Sequence, residues 1–153
     1  MQILNDFSTS VHRALKEIDK NYLERNGLVI CGTHSPHNTE ELIEEIRKAR
    51  VNGTPFLGIC FGHQLAAIEY ARNVLGIEDA TSEEFGEGTF VVVKRPELNV
   101  GLKDGESYWH NYDVNIPTKH PDHFFTCQFH PEYQSSKEKP HPLLVEFIKL
   151  CKK

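Results

Sequence analysis

Two short segments of this chain carry residue types whose order suits covalent catalysis. Gly58-Ile59-Cys60-Phe61-Gly62 has the form G-x-C-x-G, the thiol counterpart of the G-x-S-x-G turn that lifts a nucleophile off the end of a strand. A turn that sharp crowds the positions two before and two after the nucleophile, and glycine supplies the missing bulk. It would place the Cys60 sulfur at a helix N-terminus, where the dipole favours thiolate, with the Phe61 N–H directed at an oxyanion formed beside it. About 70 residues later comes Phe129-His130-Pro131-Glu132, directly after a strand-like run. Residues two apart in an extended segment share a face, so Glu132 is expected to hold His130 in the tautomer that takes a proton from Cys60. Each feature has an ordinary structural explanation: a buried cysteine in a glycine turn, an exposed histidine, a solvated glutamate. Together, each after a strand, they are harder to dismiss.

The elements that would position these residues follow from periodicity. Short apolar runs alternate with helical patterns, which predicts a mostly parallel sheet with helices on both faces, a three-layer flavodoxin-like α/β fold. Gln2–Leu4, Leu28–Ile30 and Phe56–Ile59 read as strands, and Thr89–Val93, Tyr112–Val114 and Phe124–Phe129 as later ones. Helices are predicted after Ser8 and after Thr39 as caps, over His63–Leu75 with a stop at Gly76, and from Pro142. No repeat or linker divides the chain, so residues 1–153 are read as one domain. Open α/β sheets bind ligands at the carboxyl ends of their strands, which directs attention to the loops after Ile30, Ile59 and Phe129.

Composition narrows the classes. The 153 residues are 39% hydrophobic and 25% charged with a formal charge of −5, which describes a globular chain and excludes collagen-like or wholly disordered ones. Nucleic-acid binding is not expected, because Lys and Arg are not clustered. No apolar run is long enough for a membrane span, and no secretion signal is visible, so a cytoplasmic setting is expected. Cys31, Cys60, Cys127 and Cys151 are then thiols, with all but Cys60 on apolar strand or helix positions. His34-x-x-His37 and His120-x-x-His123 lack helical register and a third ligand, so neither a metal nor another cofactor is expected.

The segments Gly53–Gln64, Ile68–Gly76, Thr81–Phe85, Tyr112–Asn115 and His120–Tyr133 resemble the class I glutamine amidotransferases, most of all the glutaminase domain of CTP synthase. These matches are spread from Leu28 to about Leu150, and Asn5-Asp6-Phe7 followed by His12 is similar to the start of small stand-alone relatives. The resemblance implies glutamine hydrolysis to glutamate and ammonia through a thioester on Cys60, with His130 and Glu132 completing the catalytic set. It implies an oxyanion hole at Gly32, Thr33 and Phe61, and substrate contacts at Gln64 and Glu84. His110, beside Trp109, is placed with the substrate contacts, a packed aromatic segment being the alternative.

The chain also departs from that family pattern. Thr33 stands where a second glycine is usual, leaving Gly32 as the residue free to adopt a positive φ. Glu106-Ser107-Tyr108-Trp109-His110-Asn111 contains no arginine where the family has an Arg-rich segment facing the substrate α-carboxylate, and neither Trp109 nor Asn111 can replace a bidentate guanidinium. A strand is missing between the first helix and Leu28, and a strand pair between Asn115 and His120. No phosphate-binding loop for an ATP-using synthetase is present. Three functions remain open: an amidotransferase-type glutaminase passing ammonia to a separate synthetase, a hydrolase of another γ-glutamyl or amide substrate, and a non-catalytic module retaining the fold.

Overall fold

The computed structural model describes all residues, Met1–Lys153. In chain order the elements are β1 (Gln2–Leu4), α1 (Thr9–Ile18), β2 (Leu28–Ile30), α2 (Thr39–Asn52), β3 (Phe56–Ile59), α3 (Phe61–Asn73), β4 (Ala80–Ser82), β5 (Thr89–Lys103), β6 (Glu106–Val114), β7 (Phe124–Cys127) and α4 (Pro142–Cys151). Two 3-10 turns, Tyr22–Glu24 and Pro131–Gln134, complete the set.

Strands β1, β2, β3 and β7 form a four-stranded, all-parallel sheet in that order. The central strands β2 and β3 are apolar without alternation because both faces are covered. Leu28, Ile30 and Phe56 pack against Leu42, Ile46, Leu65 and Ile68 of α2 and α3. The intervening Val29, Leu57 and Ile59 pack against Val11, Leu15, Leu144 and Phe147 of α1 and α4. Period-two strands thus feed two separate apolar layers, giving the predicted three-layer α/β architecture.

A second sheet has the order β4-β5-β6, with β5 and β6 an antiparallel hairpin. Its tip is the two-residue turn Asp104-Gly105, both at positive φ (53° and 80°), the geometry that matches strand twist in tight hairpins. Near the body Val91 and Val92 are buried against α3; beyond an irregularity between Lys94 and Asn99 the hairpin becomes an arm with Val100 and Leu102 exposed.

Several boundaries differ from the sequence-based expectation. Strand β7 stops at Cys127 rather than Phe129. Helix α3 starts at Phe61 rather than His63 and ends at Asn73. The α2 cap is Asn38, in a left-handed conformation, rather than Thr39, and neither it nor Ser8 makes a side-chain capping bond. β4 and most of the hairpin have no counterpart among the predicted strands. Pro96 and the charged run around it hide the continuation of β5, because they interrupt both periodicity and pairing. The segment between α1 and β2 holds only the 3-10 turn, and no strand lies between Asn115 and β7, in keeping with the shortened pattern.

Candidate active site

Cys60 lies between β3 and α3 with φ 55° and ψ −99°, a backbone conformation that L-residues rarely adopt. Strain of this kind persists only where packing over-determines it. Gly58 and Gly62 supply that packing. A Cβ on Gly62 would lie 2.2 Å from the Ile30 carbonyl oxygen, and one on Gly58 would lie 2.8 Å from the Gly62 backbone. The Cys60 N–H donates to the Cys127 carbonyl at 2.8 Å, tying the turn to β7. Cys60 is the one half-buried thiol; Cys31, Cys127 and Cys151 are buried and unpaired, and burial pushes all three thiols up.

His130 and Glu132 meet by a route that strand alternation does not describe. β7 has already ended, and His130 caps the 3-10 turn Pro131–Gln134, which brings the Glu132 Oε2 to 3.0 Å from His130 Nδ1. The turn is pinned from outside. Arg13 of α1 donates to the Glu132 carbonyl at 2.7 Å and to the Ser135 carbonyl at 3.2 Å. The His130 backbone N–H donates to the Ser107 carbonyl of β6 at 2.7 Å, and Tyr133 stacks on the imidazole with centroids 5.1 Å apart. Glu132 is fully buried, and its second carboxylate oxygen has no partner. Burial disfavours the cationic imidazole, but the Cys60 side chain and the Glu132 carboxylate outweigh it and lift His130 to about 10. With Nδ1 committed to Glu132, Nε2 is the ring nitrogen left for Cys60.

The loop after β2 closes over the sulfur. A Cβ on Gly32 would come within 3.4 Å of the His130 ring and 3.8 Å of the Cys60 Cβ. Gly32 is thus constrained by close approach; its φ is not positive, which corrects the expectation drawn from glycine's conformational freedom. The Thr33 hydroxyl donates to Asp6 at 2.5 Å and accepts from the Ser35 N–H, so a side-chain network holds the loop. Phe61 is the first residue of α3, where the helix N-terminus leaves N–H groups without intrahelical acceptors.

Gln64, Glu84 and His110 line the same cavity of about 360 Å³ as Cys60, Gly32, Thr33, Phe61 and His130. Gln64 is buried and donates to the Tyr112 carbonyl (3.2 Å) and to Gln128 Oε1 (3.3 Å). Burial raises the half-buried Glu84 carboxyl. His110 is buried and lowered by burial, with Nδ1 2.9 Å from the Tyr112 carbonyl and Nε2 2.9 Å from Asn99 Nδ2. The sequence reading omitted Gln128, whose Nε2 donates to the Cys60 sulfur at 3.5 Å. Its place two residues before His130 was the available signal. It also omitted the Trp109 carbonyl, 3.7 Å from that sulfur, and Arg13, neither of which leaves a mark in local sequence. No three His, Cys, Asp or Glu side chains converge as a metal site would require, and no helix is long and apolar enough to cross a membrane.

The parallel α/β sheet thus carries a thiol at a strand–helix elbow and a buried His–Glu pair after a later strand. The family model for glutamine amidotransferase class-I matches residues 5–122, a stretch that includes Cys60 and ends before His130. The chain belongs to the class I glutamine amidotransferase family. It is 37% identical to the CTP synthase of Methanoculleus marisnigri, over 84% of this chain and 34% of that protein. It is 33% identical to the CTP synthase of Archaeoglobus fulgidus, over 91% of this chain and 37% of that protein. The chain therefore spans about a third of the length of these curated relatives. Its fold superposes on the glutaminase domain of Trypanosoma brucei CTPS, solved with bound acivicin, with a TM-score of 0.82 at 20% identity, covering 98% of this chain and 92% of that one.

Proposed function

We propose that this protein hydrolyses the side-chain amide of glutamine or of a glutamine-like group, with Cys60 as nucleophile, His130 as proton carrier and Glu132 as the group that orients and charges His130. The observation carrying this reading is the strained Cys60 turn facing a buried His130–Glu132 pair at 3.0 Å. A buried carboxylate with one bonded oxygen is costly unless its neighbour is cationic, which favours the imidazolium form of His130. The thiolate attacks the amide carbon, and the oxyanion faces the backbone N–H groups of Gly32, Thr33 and Phe61. Collapse breaks the C–N bond as His130 gives its proton to the leaving nitrogen, releasing ammonia and leaving a thioester on Cys60. His130, now neutral, takes a proton from water as the water adds to the thioester. The C–S bond breaks, and the carboxylic product leaves with the thiolate restored. Gln128, donating to the sulfur at 3.5 Å, and the Trp109 carbonyl at 3.7 Å hold the Cys60 side chain in place. Gln64 and Glu84 hold the substrate, Glu84 by attracting an ammonium.

In this reading ammonia passes to a separate acceptor, in line with relatives named for CTP synthesis that are about three times as long. A second reading, hydrolysis of an amide other than free glutamine, is favoured by a cavity lined with neither lysine nor arginine. The test is to incubate wild type and Cys60→Ala with glutamine and a panel of γ-glutamyl amides, following ammonia, product acid and covalent mass on Cys60. Cys60-dependent release from any of them is expected. No product from any, with Cys60 no more reactive toward iodoacetamide than free cysteine, leaves only a non-catalytic module.

A further inference from the structure

The charge pattern of the cavity selects among glutamine-like substrates, an inference that rests on the amide-hydrolase reading above. Glu84 is the single acidic residue lining the cavity, half-buried, and no lysine or arginine answers it there. His110 cannot serve as a cation or spare donor, because both ring nitrogens are already occupied, one by the Tyr112 carbonyl and one by Asn99. Arg95, the nearest guanidinium along the hairpin, is held by Asp113 at 2.6 Å, and Lys103 is bonded to Asn99. An ammonium entering this space meets Glu84. A carboxylate entering it loses water, faces the Glu84 carboxylate and finds no lysine or arginine, the one cationic group on the wall being the His130 imidazole that Glu132 already engages. The mouth is apolar and aromatic instead. Phe7, His34 and Trp109 form an edge-to-face row, with centroids 4.7 Å and 4.1 Å apart, and Leu98 lies on the same wall. Trp109 is half-exposed while its own backbone carbonyl lies 3.7 Å from the Cys60 sulfur, so the row lies beside the reacting atoms.

We infer that the substrate is a glutaminyl amide: its α-amine is free and faces Glu84, its α-carboxyl is neutralised in an amide bond, and an apolar or aromatic group beyond that bond lies against Trp109, as an N-terminal glutamine of a peptide would present. The side-chain amide then reaches Cys60, and water and the substrate yield the γ-acid and ammonia by the route already given.

The test compares L-glutamine, L-glutamine α-anilide and N-acetyl-L-glutamine α-anilide with wild-type protein. The amide-to-acid mass change is read so that spontaneous cyclisation is not counted, and Cys60→Ala serves as the blank. The α-anilide is expected to exceed glutamine in kcat/KM by about 100-fold. Acetylation of the amine should remove most of that rate, as should Glu84→Gln. Asn111→Arg, which adds a cation on the cavity wall, should narrow the gap by improving glutamine. Glutamine turned over as well as or better than the anilide overturns the inference and leaves the Cys60 hydrolase standing. Equal rates for the acetylated and free-amine anilides overturn the role of Glu84 and with it the inference. No Cys60-dependent product from any of the three, with an unreactive Cys60, overturns both readings.

Discussion

The two walls of the cavity are built on opposite principles. The catalytic corner comes from the ends of parallel strands and is buried and cross-braced: Glu132 is 0% exposed, His130 3%, and Arg13 pins their turn from another helix. The facing wall comes from the β5–β6 hairpin, where Trp109 is 44% exposed and Leu102 near the tip 66%. Side chains in the corner cannot move without breaking packing, whereas those on the hairpin face water and can change with little effect on the core. In the proposed function, reaction chemistry is anchored in the buried sheet corner and substrate choice in the hairpin, a surface that tolerates substitution. The absence of arginine from Glu106–Asn111, on the wall opposite Cys60, His130 and Glu132, fits that division.

Substitutions that separate the walls should differ in kind as well as size. Cys60→Ala should lower turnover of the best amide by about 10⁵-fold, and Glu132→Gln by about 10⁴-fold, in steady-state assays. Gly62→Ala should prevent stable folding or cost more than about 4 kcal/mol in denaturant titration, because its Cβ meets the Ile30 carbonyl at 2.2 Å. An intact, active Gly62→Ala protein would show that the elbow is looser than its geometry implies. His130→Ala leaves Glu132 buried without a counter-charge and should cost about 3–5 kcal/mol.

The same pair predicts a pH dependence. His130 is raised from 6.5 to about 10 by Cys60 and Glu132 against the opposing effect of burial. Its contribution to stability is present in full below about pH 6.5 and is lost as pH rises toward 10. The Tm difference between wild type and His130→Gln should shrink across that window; a difference that grows with pH would contradict the imidazolium. On the hairpin wall the effects are smaller. Glu84→Gln removes a carboxylate that burial disfavours, so at neutral pH the Tm should rise by roughly 2 °C at most while KM for an amine-bearing substrate increases. Leu102→Ser should change stability by less than about 0.5 kcal/mol.

Much of the corner was legible in sequence because its signals are local. Glycines flanking a cysteine report a crowded turn, and apolar runs alternating with helical periodicity report a covered parallel sheet. The hairpin was largely illegible, since Arg95-Pro96-Glu97 breaks the alternation that marks a strand, and its pairing with β6 restores order only across the gap. Local pattern also misassigned the means by which Glu132 reaches His130. Strand alternation predicts a shared face, but the chain has already entered a 3-10 turn, held there by Arg13 from 119 residues away.

The sequence by itself determined the covered parallel sheet and the glycine-flanked turn at Cys60, because each depends on residues close along the chain and on hydrophobic period. Only the tertiary structure decided that Gln128 touches the sulfur, that Gly32 lies close to Phe7 and His130 without a positive φ, and that Glu84 shares its cavity with Phe7 and Trp109 but with no lysine or arginine. Those facts depend on distances between segments far apart along the chain, which burial and hydrogen bonding fix in space and no local pattern encodes.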